Sequence, residues 1–128
     1  MKKIIHTDLA PKAVGPYSQA VRMGDFLFCS GQISIDSKTQ EVFTGDIQKQ
    51  TEMVLNNIEA LLKTSNLSFS HIIKTTIFLT NMSDFAAVNE IYAQRFTSDF
   101  PARSTIQVAG LPKGVNVEIE VIANFAAI

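Results

Sequence analysis

At 128 residues the chain has the length of one domain, 1–128, and 46% hydrophobic residues are enough for a real core. A formal net charge of −1, with no cationic cluster beyond Lys2-Lys3, offers nothing to a polyanion and argues against nucleic acid as a primary partner. Only 18% of residues are charged and the mean hydropathy is +0.15, a balance that points to apolar surface covered by further copies of the chain.

Residues 2–6 read as a short strand, and the two apolar residues after Lys2-Lys3 do not make a secretory leader. Pro11, Gly15 and Pro16 break the next stretch into a loop. A strand is expected from Tyr17 to about Arg22, a tight turn at Met23-Gly24-Asp25, and a return strand from Phe26 to Ile35. Gly31 interrupts that strand, which marks a bulge or a close approach to the backbone. Cys29 points away from Ser30 and has no histidine near it in sequence; it reads as a small buried residue, not a nucleophile. No second cysteine exists for a disulfide, and His6 and His71 lack partners at ligand spacing, so no metal is expected.

Asp46 is placed to cap a helix whose apolar stripe is Ile47, Thr51, Val54, Leu55, Ile58, Leu61 and Leu62, with Asn66 as a left-handed terminator. His71–Thr80 reads as a strand. Ser83 is expected to cap a second helix, with Phe85, Val88, Ile91, Tyr92 and Phe96 buried and Asn89 beside them. No apolar run approaches the ~20 residues of a membrane helix, so the expected location is the cytoplasm.

Asp99–Val121 reads as two strands around Gly-Leu-Pro-Lys-Gly. Paired as an antiparallel hairpin, they place Arg103 opposite or diagonal to Glu118 and Glu120 on a shared face. Spacing alone leaves two meanings open. One is a surface ion pair of small worth. The other is an arginine fork for a carboxylate beside an acid that moves protons.

The segments APKAVGPYSQAV, FCSGQI, IIKTTIFLTNMSDFAAVNEIY and FPARSTIQVAGLPKGVNVEIEVIA, in this order, resemble the RidA (YjgF/YER057c/UK114) family over nearly the whole chain. The resemblance implies an α+β, chorismate-mutase-like fold: a mixed sheet with two helices on one face and a homotrimer around the other. It also implies cofactor-free hydrolysis of reactive 2-imino and 2-enamino acids to 2-oxo acids and ammonia. By the same resemblance, Arg103 binds the substrate carboxylate and Glu118 activates water and carries its proton. Tyr17 donates a hydrogen bond, the backbones of Gly31 and Thr105 finish the cradle, and Ser30 and Asn89 lie at its wall. Glu120 is the less favoured acid. Many members carry Cys where this chain has Thr105, a change that is nearly silent if the backbone does the work.

An arginine beside Glu118 lowers that carboxyl's pKa, whereas proton donation near neutrality favours a raised one. The expectation is therefore that bound substrate neutralises Arg103, excludes water and raises the Glu118 pKa only in the complex. A different class of function stays open, a trimer that binds 2-oxo acids or amino acids without turning them over. RNA cleavage, linked to relatives, finds no basic stripe here.

Overall fold

The computed structural model describes residues 1–128. Eight main elements follow one another: β1 (Lys3–Ile5), β2 (Ala20–Met23), β3 (Phe26–Gln32), α1 (Ile47–Thr64), β4 (Ile72–Leu79), α2 (Phe85–Arg95), β5 (Ala102–Gln107) and β6 (Val117–Asn124). The six strands form one mixed sheet in the order β1-β2-β3-β6-β4-β5. No helix is long and apolar enough to cross a membrane.

Local signals place the helices and turns. Asp46 accepts the Lys49 N–H at 2.9 Å and starts α1, and Asn66 just past its end has φ 59°. Gly24 turns between β2 and β3 at φ 59°. The expected α1 stripe packs on the sheet: Val54, Leu55, Ile58, Leu61 and Leu62 are fully buried against Leu27, Ile77 and Ile119. Leu61→Ala, which leaves a void in this packing, is expected to cost about 2–5 kcal/mol in urea unfolding. A loss below ~1 kcal/mol would show that this layer is not close-packed.

Several boundaries differ from the sequence expectation. The second strand begins at Ala20, not Tyr17, because Gln19 turns its side chain inward and ties down Thr7 and Pro11 instead of extending a ladder. β3 ends at Gln32, not Ile35; beyond the bulge the chain leaves β6, and the Asn57 side chain catches the Ile33 and Ile35 carbonyls. Asn81, not Ser83, supplies the capping oxygen ahead of α2: its side chain accepts the Ser83 N–H at 2.9 Å.

The largest correction concerns the C-terminal pair of strands. β5 and β6 are not hydrogen-bonded to each other, because β4 lies between them, parallel to β5 and antiparallel to β6. The connection crosses the end of β4 and is fastened there by Val108 N–H to Leu79 O at 2.8 Å and Thr80 N–H to Asn116 O at 3.2 Å. Arg103 is in register with Thr75 and Val121, whereas Glu118 is in register with Phe78 and Ile106. Since alternate residues face opposite ways, Arg103 lies on the helix side of the sheet and Glu118 on the other side.

The side away from the helices is open. Ile4, Met23, Phe26, Phe28 and Ile106 line it and are all exposed, with Phe26 stacked on Phe28 at 6.1 Å between ring centroids.

Candidate functional site

The alternation of β6 buries Val117, Ile119 and Val121 and turns Glu118 and Glu120 to the open face. Beside β6, Cys29 faces Val121 and Gln32 faces Ile119, so Ser30 and Gly31 together stand opposite one residue. This is the bulge that the glycine foretold. The Glu118 carboxyl lies directly over it: a Cβ built on Gly31 would overlap Glu118 Oε2 and stand 2.8 Å from its Cδ. Glu118 makes no ion pair. Burial, and then the charge of Glu120, push its carboxyl above the usual carboxylate range. Within one chain Arg103 does not depress it, because that residue is on the other face.

Arg103 is held from α2. Its Nη1 donates to Asn89 Oδ1 at 2.7 Å, and its guanidinium sits 4.9 Å from the Tyr92 ring centroid and 5.3 Å from that of Phe85. The Tyr92 hydroxyl is 2.9 Å from Thr75 Oγ1, which fixes that ring. Burial raises the Tyr92 pKa, opposed by the Thr75 hydrogen bond and the Arg103 charge, so the phenol stays neutral. The side chain of Arg103 is exposed and has no carboxylate partner. One arm of the fork is thus anchored and the remaining N–H groups are free for an anion.

The candidates fall into two clusters. Arg103, Asn89 and Thr105 stand at the β5 edge. Val108 N–H bonds to β4, so by alternation the even-numbered backbone groups of β5 face β4 and those of Arg103 and Thr105 face outward along the unpaired edge. Glu118, Gly31 and Ser30 form the second cluster on the open face. The segment carrying Tyr17 runs beside them, since Ser30 Oγ donates to Ser18 O at 2.6 Å and Ser30 N–H to Gln19 O at 2.9 Å. Tyr17 itself is exposed. Within one chain the clusters do not meet. A cleft of about 410 Å³ does exist at the opposite end of β4, lined by Phe69, Ile73, Arg95 and Phe100, but it contains none of the candidate residues.

Residues 7–125 match the profile of the Endoribonuclease L-PSP family. The chain belongs to this family, that of RidA. Its sequence is 45% identical to the 2-iminobutanoate/2-iminopropanoate deaminase of Dermatophagoides farinae, with 94% of each chain covered. Its fold matches the crystal structure of YyfA, a Rid-family protein from Yersinia pestis, with TM-score 0.95 and 50% identity over 97% of this chain and 99% of that one. It also matches E. coli TdcF with bound serine, with TM-score 0.91 and 46% identity over 95% and 98%.

In this RidA-family chain the sequence reading missed the Arg103 shelf. Phe85, Asn89 and Tyr92 recur at i, i+4 and i+7, so a polar residue sits inside an otherwise aromatic helix face; that was the available signal. It also missed Gln50, a fully buried amide whose Oε1 accepts the Asn116 N–H at 2.9 Å and whose Nε2 donates to Asn116 Oδ1 at 2.9 Å. That pair fixes the start of β6 two residues before Glu118. Cys29 is buried, and desolvation pushes its thiol up to about 12, consistent with packing and not with nucleophilic chemistry. Glu120→Gln removes the like charge beside Glu118, so the Glu118 titration, read by ¹³C NMR, is expected to move to lower pH. A midpoint that stays in place or rises would show that Glu120 does not act on it.

Proposed function

We propose that this chain hydrolyses reactive 2-imino and 2-enamino acids, such as 2-iminobutanoate and 2-iminopropanoate, to 2-oxo acids and ammonia. The site lies at the seams of a homotrimer of chorismate-mutase-like subunits. The observation that carries this reading is the pairing of two unsatisfied groups: a braced, exposed arginine fork at one sheet edge and a half-buried carboxyl with a raised pKa on the open face. A symmetric neighbour laid on the apolar open face brings the fork of one copy to the carboxyl of the next, and the cleft forms between them. The deaminase name of a relative 45% identical along its length supports the reaction class.

The chemistry is then short. Arg103 holds the substrate carboxylate. Water bound by Glu118 attacks the imine carbon; Glu118 takes the water proton and passes it to the nitrogen, giving a neutral carbinolamine and a free carboxylate. Glu118 carries the hydroxyl proton to the same nitrogen as the C–N bond breaks, so one water is consumed and 2-oxo acid and ammonia leave. An enamine first gains a proton at carbon and gives one up from nitrogen to become the imine. The outward Thr105 N–H and the Gly31 backbone bind polar atoms of the substrate, Tyr17 donates to it or to the water, and Ser30 and Asn89 line the wall. Thr105 serves through its backbone, so the Cys common elsewhere is not needed. Positioning and proton transfer suffice because an imine is already electrophilic.

The test is a dehydratase that releases 2-iminobutanoate in the presence of an imine scavenger. The chain is expected to speed 2-oxobutanoate formation and to reduce the trapped fraction. A crystal of the relative TdcF holds serine, and the same fork suits an amino acid held without turnover. Tight binding of 2-oxobutanoate with no effect on the rate would select that sensor reading. RNA cleavage is not proposed, since the net charge is −1 and no basic stripe exists to hold a phosphate backbone.

A further inference from the structure

We propose that Gly31 is a positioning residue for Glu118: the bare backbone at the β3 bulge is the seat that holds the proton-carrying carboxyl down on the sheet. This rests on the role given to Glu118 above and adds the device that sets its place. Gly31 is not among the glycines with positive φ, which are Gly15, Gly24 and Gly114, so its backbone conformation does not demand glycine. What demands glycine is space. A Cβ at this position would overlap Glu118 Oε2 and lie 2.8 Å from Cδ and 3.1 Å from Cγ, so the end of the Glu118 side chain occupies the volume that any other residue would fill.

The seat is itself braced. Gln32 Nε2 donates to the Ser30 carbonyl at 3.2 Å, and Ser30 Oγ to the Ser18 carbonyl. The groups facing Glu118 leave it no other anchor. Its own strand offers Glu120, and β4 offers Phe78 and Thr76. Lys74, farther along β4, is engaged with Ser104 Oγ at 3.0 Å, and β5 presents Ser104 and Ile106. On the β3 side Ser30 is bonded to the segment that carries Tyr17. With no cation in reach inside the chain, contact with Gly31 decides where the carboxyl points and how much water it meets.

Gly31→Ala is expected to fold with a near-native Tm, because only a flexible side-chain end has to move. It should lower kcat by about 100-fold while KM stays within about threefold, since the carboxylate anchor is untouched. The Glu118 titration should fall toward the ordinary carboxylate range as its carboxyl swings into solvent. In a Glu118→Ala background there is no carboxyl left to seat, so adding Gly31→Ala should cost less than about threefold. Native kcat and an unmoved Glu118 titration in Gly31→Ala would overturn the proposal. So would an equal loss in both backgrounds with the titration unmoved, which assigns Gly31 to a backbone contact with substrate alone. The titration needs no turnover: a chain that fails to hydrolyse imines but whose Glu118 midpoint drops in Gly31→Ala keeps the seat and loses only the reaction.

Discussion

Glu118→Gln is expected to lower kcat for imine hydrolysis by about 10²–10⁴-fold with little change in KM. Glutamine has the shape of glutamate and still fits over Gly31, so the seat survives; what disappears is the ability to take a proton from water and return it to nitrogen. KM should hold because the proposed grip on the substrate carboxylate is elsewhere, at Arg103. The residual rate is that of an oriented imine meeting unassisted water. The elevated Glu118 pKa bears on the native profile. The elevation comes from burial and from Glu120, so the acid limb of kcat should lie above the ordinary carboxylate range and should vanish in the variant. Steady-state rates across pH check both points. A Glu118→Gln protein that retains kcat within about threefold would remove Glu118 from the proton path.

Arg103→Ala is expected to lower kcat/KM by about 10²–10³-fold, chiefly through KM, because charge-assisted hydrogen bonds to the substrate carboxylate are lost in a partly desolvated seam. The fold should be indifferent, as the residue is exposed and its neighbours Asn89, Phe85 and Tyr92 keep their own packing. Arg103→Lys separates charge from shape. An ammonium restores attraction but cannot hold Asn89 and a carboxylate in one plane, so it should recover only part of the loss. Titration of the inactive complex with 2-oxobutanoate reads the same contact without turnover. Equal affinities for the native protein and Arg103→Ala would mean that the anion is bound elsewhere.

What the sequence disclosed was local. The Asp46 cap, the α1 stripe, the Asn66 stop, the Gly24 turn and the meaning of Gly31 each depend on residues close together in the chain, where periodicity and backbone preference decide. The pairing of β5 and β6 was not of that kind. Gly110-Leu111-Pro112-Lys113-Gly114 has the composition of a hairpin turn, and Lys113 and Gly114 do turn at φ 58° and 74°. Yet nothing within Asp99–Val121 shows that the apolar strand Ile72–Leu79 takes the place between its two halves. An inserted strand changes register as well as partner, and a register change by one residue sends a side chain to the other face. The single error therefore placed Arg103 and Glu118 of one chain on the same face, whereas they lie on opposite faces. The buried amides of Gln50 and Asn57 were hidden for a related reason: their partners, Asn116 and the Ile33 and Ile35 carbonyls, are distant in sequence.

The central claim is that the fork and the acid of one working site come from two copies of the chain, and subunit mixing tests it most directly. Arg103→Ala and Glu118→Gln proteins, each down by about 100-fold or more alone at substrate well below KM, are unfolded together in equal amounts, refolded and assayed at that concentration. In a ring of three, about one seam in four then has an intact Arg103 from one subunit facing an intact Glu118 from the next. About a quarter of native activity should therefore return. Correctly reassembled mixed oligomers with no activity above that of either parent would contradict the claim.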